Sequence, residues 1–131
     1  MKQLSKTVTA TFNISYHIIW CPKYRRCVLI DGVDTRLKDV LSGIASENGW
    51  VIKGMEVMPD HVHVFIAANP AVSPNYIVAK LKGLSARVLR KEFPHLKKRI
   101  PSLWTRSYYI ESIGHISENT IAKYIQDQKN K

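Results

Sequence analysis

The chain has 131 residues, enough for one domain with a modest core. Apolar residues make up 45% of it, so it is expected to fold, and 20 Lys and Arg against 10 Asp and Glu give a formal charge of +10. That excess points to a polyanionic partner, nucleic acid first and an anionic membrane surface second. No apolar run approaches the length of a membrane span. The opening Met1-Lys2-Gln3-Leu4-Ser5-Lys6 lacks the apolar core of a secretory signal. Cys21 and Cys27 are too few for a disulfide framework and lack zinc-knuckle spacing, so reduced thiols in a cytoplasmic protein are expected.

Residues 8–20 alternate, with Phe12, Ile14, Tyr16, Ile18 and Trp20 on one face and Asn13, Ser15 and His17 on the other. This predicts a first strand. Cys21-Pro22 ends it, and Lys23-Tyr24-Arg25-Arg26 follows as a basic loop with an embedded aromatic. That mixture suits phosphate contact combined with base stacking, although a solvated loop accounts for any one of these residues almost as well.

Residues 34–48 read as a helix, with Asp34 as cap and Leu37, Val40, Leu41, Ile44 and Ala45 as its apolar stripe. Gly49 sits where a C-terminal cap belongs. Trp50 to Val57 reads as strand two. The Pro59-Asp60 turn then sends the chain back as strand three, His61-Val62-His63-Val64-Phe65-Ile66. Strand side chains alternate, so His61 and His63 share a face, with Cα atoms roughly 6.6 Å apart at the usual strand rise. One strand histidine is more often a satisfied structural residue. Two at this spacing, at the mouth of a tight turn, favour a shared ion, and a third ligand must come from elsewhere. Asp60 and His17 receive no role and read as a turn residue and a surface strand residue.

Ser73-Pro74 opens a second long helix, Ser73 as cap and Pro74 at its first position, which Pro94 ends. Its buried stripe is Ile77, Val78, Leu81, Leu84, Val88 and Leu89. Lys80, Arg87 and Lys91 line another face with Arg90 nearby, and Lys97-Lys98-Arg99 follows. Such a face is usually solvation; leading into a basic loop, it also suits nucleic acid. Residues 102–113 are strand-like and aromatic, and Gly114 ends them. Ser117 caps a last short helix, about residues 117–128, with Glu118 in its first turn.

The order βαββαβ plus a helix predicts an α+β, ferredoxin-like antiparallel sheet with two helices on one face, in a single domain over residues 1–131. Tyr124 and Gln128 lie four apart on the last helix, on the same side. Gln128 offers a carbonyl oxygen that could complete the coordination begun by His61 and His63, and Tyr124 would be carried beside it. A phenol with a pKa near ~10 attacks poorly without a base or cation. Taken by pattern alone, the residues favour Tyr124 as an edge-of-core tyrosine beside Ile121 and Ile125, and Gln128 as a solvated residue near the chain end.

With these residues in view, the chain resembles the small single-tyrosine HUH transposases of bacterial and archaeal insertion sequences. His61-Val62-His63 fits the HUH motif, and Tyr124 to Gln128 fits the downstream Tyr-x-x-x-Gln. Trp20-Cys21-Pro22-Lys23-Tyr24-Arg25-Arg26, Met58-Pro59-Asp60-His61-Val62-His63, and Leu103-Trp104 through Tyr108-Tyr109 agree with it. The resemblance implies binding of single-stranded DNA hairpins at element ends and attack by the tyrosine to form a 5′-phosphotyrosine link. Carried over, Tyr124 is the nucleophile and His61, His63 and Gln128 hold a divalent metal. Two imidazoles and an amide alone would suggest zinc; the family implies Mg2+ or Mn2+, which suit phosphoryl transfer. It also implies a homodimer in which one subunit's tyrosine helix can serve the other's histidines, with no membrane partner. Lys23, Tyr24, Arg25, Arg26, Arg87, Arg90 and Lys91 are the candidate DNA contacts. Two other classes compete. A noncatalytic ferredoxin-like binder of single-stranded nucleic acid would stack bases on Tyr108 and Tyr109, but the glycine-aromatic signature of RNA-recognition modules is absent. A zinc enzyme acting on a small molecule would leave the charge of +10 unexplained.

Overall fold

The computed structural model describes residues 5–6, 11–12, 15–114 and 118–129, with the side chains of 15–114, 121 and 123–127. Its elements are β1 (Ser5–Lys6), β2 (Thr11–Phe12), β3 (Ser15–Trp20), α1 (Val33–Asn48), β4 (Val51–Met58), β5 (His61–Ala67), α2 (Pro74–Glu92), α3 (His95–Arg99), β6 (Tyr109–Ile113) and α4 (Glu118–Lys129). Of the expected first strand, 8–20, residues 8–10 and 13–14 lie outside the described residues; Thr11–Phe12 pairs with Ser5–Lys6 in a two-stranded ribbon, and Ser15–Trp20 joins the main sheet.

The main sheet has the order β4-β5-β3-β6, antiparallel throughout. Taken as the first to fourth strands of a βαββαβ unit, these fall in the ferredoxin-like arrangement expected from the element order. Alternation gives the sheet two unlike faces. Ile18, Trp20, Val57, Val62, Val64 and Ile66 point to one side, where they pack with Leu37 and Leu41 of α1 and Ile77 and Leu81 of α2. His17, His61, His63 and Phe65 belong to the other face, and α4 lies over it.

Local signals set most boundaries. Gly49 ends α1 with φ 74°, its N–H reaching the Ala45 and Ser46 carbonyls. Ser73 caps α2, its side chain accepting from the Tyr76 N–H at 3.1 Å, with Pro74 in the first turn. At α1 the start differs from expectation. The chain enters through Gly32 at φ 95° with no side-chain cap, so Asp34 lies inside the first turn and acts on the helix dipole by charge alone.

The larger departure is residues 102–113. Only Tyr109–Ile113 forms a strand; Trp104 makes a single bridge with Pro22. Trp104 is instead a core plug, 6% exposed, and its indole N–H donates to the Ser85 hydroxyl at 3.0 Å. Ser85, fully buried in α2, takes a place in the stripe where larger residues were expected, while Leu84 and Val88 are only half-buried. A small polar side chain there leaves room for the indole and satisfies its donor. Ser85→Ala is expected to cost about 1–3 kcal/mol by stranding that buried N–H. Urea denaturation of the variant would check this; an unchanged midpoint would refute the accounting.

Candidate functional site

The site is assembled on the sheet face away from α1 and α2. The two-residue Pro59-Asp60 turn joins β4 to β5 and starts β5 at His61, so His61, His63 and Phe65 fall on one face. His17 of β3 stands opposite Phe65, and Glu111 of β6 stands opposite His17. The His61 and His63 rings lie 4.9 Å apart between centroids at 74°.

Each histidine has one nitrogen occupied. His61 Nδ1 lies 2.7 Å from Asp60 Oδ1, and His63 Nδ1 lies 3.2 Å from His17 Nε2. His17 Nδ1 lies in turn 3.1 Å from Glu111 Oε2. An ionised carboxylate only accepts hydrogen bonds, so His61 donates from Nδ1 to Asp60 and His17 donates from Nδ1 to Glu111. In the tautomer that carries its one proton on Nδ1, His17 presents a lone pair at Nε2 and accepts from His63 Nδ1–H. Both His61 and His63 are left with an unprotonated Nε2, the state in which imidazole binds a metal.

The electrostatics agree with this chain of bonds. Burial, with smaller contributions from His61 and His17, pushes the His63 pKa down to about 4, so this imidazole is neutral at ordinary pH. The hydrogen bond from His61 holds the Asp60 carboxyl below its usual range, and the bond from His17 does the same for Glu111. Asp60 also accepts from Arg25 Nη2 at 3.0 Å. Thus His17 is not the surface strand residue expected but 4% exposed and central to the site, and Asp60 is more than a turn residue. The role of His17 could not be found locally, because His17 and Glu111 lie 94 positions apart, whereas Asp60 bonds its sequence neighbour His61.

Tyr124 of α4 stands on the same group. Its ring meets His17, His63 and Phe65 edge-on, with centroids 5.2, 5.7 and 5.5 Å away. These histidines are those of its own chain. Burial and then the nearby Glu111 carboxylate push its phenol pKa above the ordinary value, so the hydroxyl keeps its proton at rest. Tyr109, half-exposed, donates from its hydroxyl to Glu111 Oε1 at 3.1 Å. The segment leading to β6 is pinned by Lys82, whose Nζ donates to the carbonyls of Thr105 and Ser107 at 2.7 and 3.1 Å.

Gln128 lies on α4, and its side chain falls outside the described residues, as does Ser117. Among the described residues, no three His, Cys, Asp or Glu side chains form a group able to hold a metal. The two imidazoles fit two positions of a coordination shell.

The basic residues divide into two groups. Lys23–Arg25 forms a short 3-10 turn in which Tyr24 and Arg25 take the left-handed region, φ 60° and 50°. Bulky residues rarely adopt it. Here it leaves Tyr24 exposed and accompanies the contact of Arg25 with Asp60, beside the histidines; Arg26 is exposed and Lys23 half-buried. Arg87, Arg90 and Lys91 lie on α2, behind the sheet, and Arg90 Nη1 donates to the Ile100 carbonyl at 3.1 Å. Of these candidates, the Lys23–Arg26 segment is the one placed beside the histidines. Both cysteines are free, and no helix among the described residues is long and apolar enough to cross a membrane.

Nitrogen-detected NMR is expected to find His61 and His63 as Nδ1–H tautomers. Asp60→Ala should shift His61 toward the Nε2–H form that free imidazole prefers, without moving the thermal midpoint by more than a few degrees. An Nε2–H tautomer at His61 in the unaltered protein would contradict the hydrogen-bond assignment.

The family described as "Transposase IS200 like" matches residues 10–128. The chain is 42% identical to the ISDra2 transposase TnpA of Deinococcus radiodurans over 122 residues, covering 92% of this chain and 87% of that protein. It is 31% identical to the transposase for insertion sequence element IS200 of Salmonella typhimurium over 121 residues, or 89% and 78% of the two chains. A crystal structure of a Deinococcus radiodurans R1 protein classed as a transposase superposes with TM-score 0.76 at 40% identity, covering 95% of both chains. A REP-associated tyrosine transposase bound to a REP hairpin shares the fold, with TM-score 0.58 at 13% identity over 99% of this chain and 74% of the other.

Proposed function

The chain belongs to the IS200-like transposase family, and on that footing we propose that it cleaves and rejoins single-stranded DNA at insertion-sequence ends with Tyr124 as nucleophile. The juxtaposition of the Tyr124 ring with His63, 5.7 Å between centroids, carries this reading. The phenol ring lies against His63, His63 lies against His61, and a basic turn borders the pair of imidazoles.

In this reading His61, His63 and Gln128 hold a divalent cation, Mg2+ or Mn2+. When bound, the cation supplies positive charge to a phosphodiester oxygen as negative charge develops. His17 and Asp60 fix the rings so that each offers its lone pair without reorganising. Tyr124 Oη forms a bond to phosphorus while the bond from phosphorus to the 3′ oxygen breaks. The 3′ end leaves as a hydroxyl and the 5′ phosphate remains on the tyrosine. Burial and Glu111 favour the protonated phenol, so the step releases one proton from Tyr124 as the departing 3′ oxygen takes one up. Return of a 3′-hydroxyl onto the phosphotyrosine reverses the step, so strands exchange without water and without loss of the bond's energy.

Lys23, Tyr24, Arg25 and Arg26 are assigned to the strand near the cut, by phosphate contact and by stacking on the exposed Tyr24 ring. Arg87, Arg90 and Lys91 lie in the layer behind the sheet and suit the phosphates of a hairpin stem better than the strand being cut. A hairpin is the ligand of the structural neighbour that shares the fold. The single-domain, cytoplasmic, homodimeric organisation implied by the resemblance belongs to the same proposal, and sedimentation would test the dimer. A noncatalytic binder would need neither the paired bare nitrogens nor a phenol beside them.

Incubation with single-stranded DNA hairpins and Mn2+, followed by mass spectrometry, is expected to find a nucleotide on Tyr124. Tyr124→Phe should lose the adduct while keeping hairpin binding; an adduct that persists removes Tyr124 from the mechanism. His61→Ala, or a chelator, should stop cleavage and leave most binding. If both are lost together, the metal is structural. Binding should also weaken steeply with salt, with a slope of about −0.7 per phosphate neutralised on single strands. A flat response would tell against a nucleic-acid partner.

A further inference from the structure

Gly54 lies in β4 opposite Phe65, just past a slip in the β4–β5 register between Ile52 and Gly54. Backbone freedom does not explain a glycine here, because the positive-φ glycines among the described residues are Gly32 and Gly49. Space does. A Cβ at position 54 would overlap Ile121 Cγ2 and lie 3.1 Å from Ile125 Cδ1, both on α4. Ile121 is 2% exposed, and a β-branched side chain in a helix is held to one χ1 well, so its Cγ2 has little room to turn aside.

Ile121, Tyr124 and Ile125 are spaced i, i+3 and i+4 and so occupy one face of α4. Two of them sit on Gly54; the third meets His17, His63 and Phe65. Ordinary contact begins near 3.4 Å, so a methyl at position 54 would lift this part of the helix by about 1 Å. We propose that Gly54 is the seat of the tyrosine helix: its missing side chain sets the height of α4 over the sheet and so the distance of Tyr124 from the histidines. The inference rests on the nucleophile assignment made above. Gly54 touches no substrate and is a positioning residue.

The test uses the full chain, a pool of single-stranded DNA hairpins and Mn2+. Gly54→Ala is expected to slow adduct formation at saturating DNA by about 10- to 100-fold, the usual consequence of a 1 Å misplacement. The DNA concentration giving half-maximal rate should not change. Amide hydrogen exchange should quicken in α4 but not in β5 or α2, which also shows that the variant folds. Removing the clash from the other side, in Gly54→Ala/Ile121→Ala, should recover part of the rate that Gly54→Ala loses. Unaltered α4 exchange in Gly54→Ala overturns the seat, and faster exchange with an unaltered adduct rate overturns its role in positioning. A double variant slower than Gly54→Ala alone overturns the steric coupling. If the unaltered protein forms no adduct on any tyrosine, the nucleophile assignment fails instead, and the exchange measurement still decides whether Gly54 seats the helix.

Discussion

A histidine binds a cation only through a nitrogen that carries no proton, and in this protein two carboxylates decide which nitrogen that is. Asp60 takes the Nδ1 proton of His61 directly, and Glu111 acts on His63 one step removed, through His17. The two routes come from different strands and reach the same result at adjacent rings. Burial adds to it by keeping His63 neutral. Remove either carboxylate and the imidazole it governs is free to take the other tautomer, so the chemistry of the site depends on groups that would touch neither metal nor substrate.

That arrangement needs a sheet with two unlike faces. Val62, Val64 and Ile66 bury themselves against α1 and α2, and this packing holds β5 in register. A slip by one residue would bury the histidines and expose the valines. The core on one side therefore fixes the orientation of the site on the other. The two-residue turn at Pro59-Asp60 belongs to the same constraint, because it sets where β5 begins and places Asp60 next to the first histidine.

Tyr124 presents the opposite problem from the histidines. Its surroundings hold the proton on the phenol, through burial and through Glu111. In the proposed role, a phenol so placed would wait for positive charge at the reacting centre before attacking. Its position depends on α4, whose Ile121 and Ile125 lie over Gly54. The histidines are built into the sheet and the tyrosine is set down upon it.

Much of this was legible from the residues alone, wherever the cause is local. The i, i+2 spacing of His61 and His63, the turn before them, the Gly49 and Ser73-Pro74 helix signals and the order of elements each depend on neighbours a few residues away. Such features fix φ/ψ and facing without reference to the rest of the chain. The pairing of His17 with Glu111, the placing of Asp60 between Arg25 and His61, the use of Trp104 as a core plug and the space at Gly54 were decided by tertiary structure. Each is a contact between segments far apart in sequence, up to 94 positions for His17 and Glu111, and local periodicity carries no record of which distant residue will fill the opposite side.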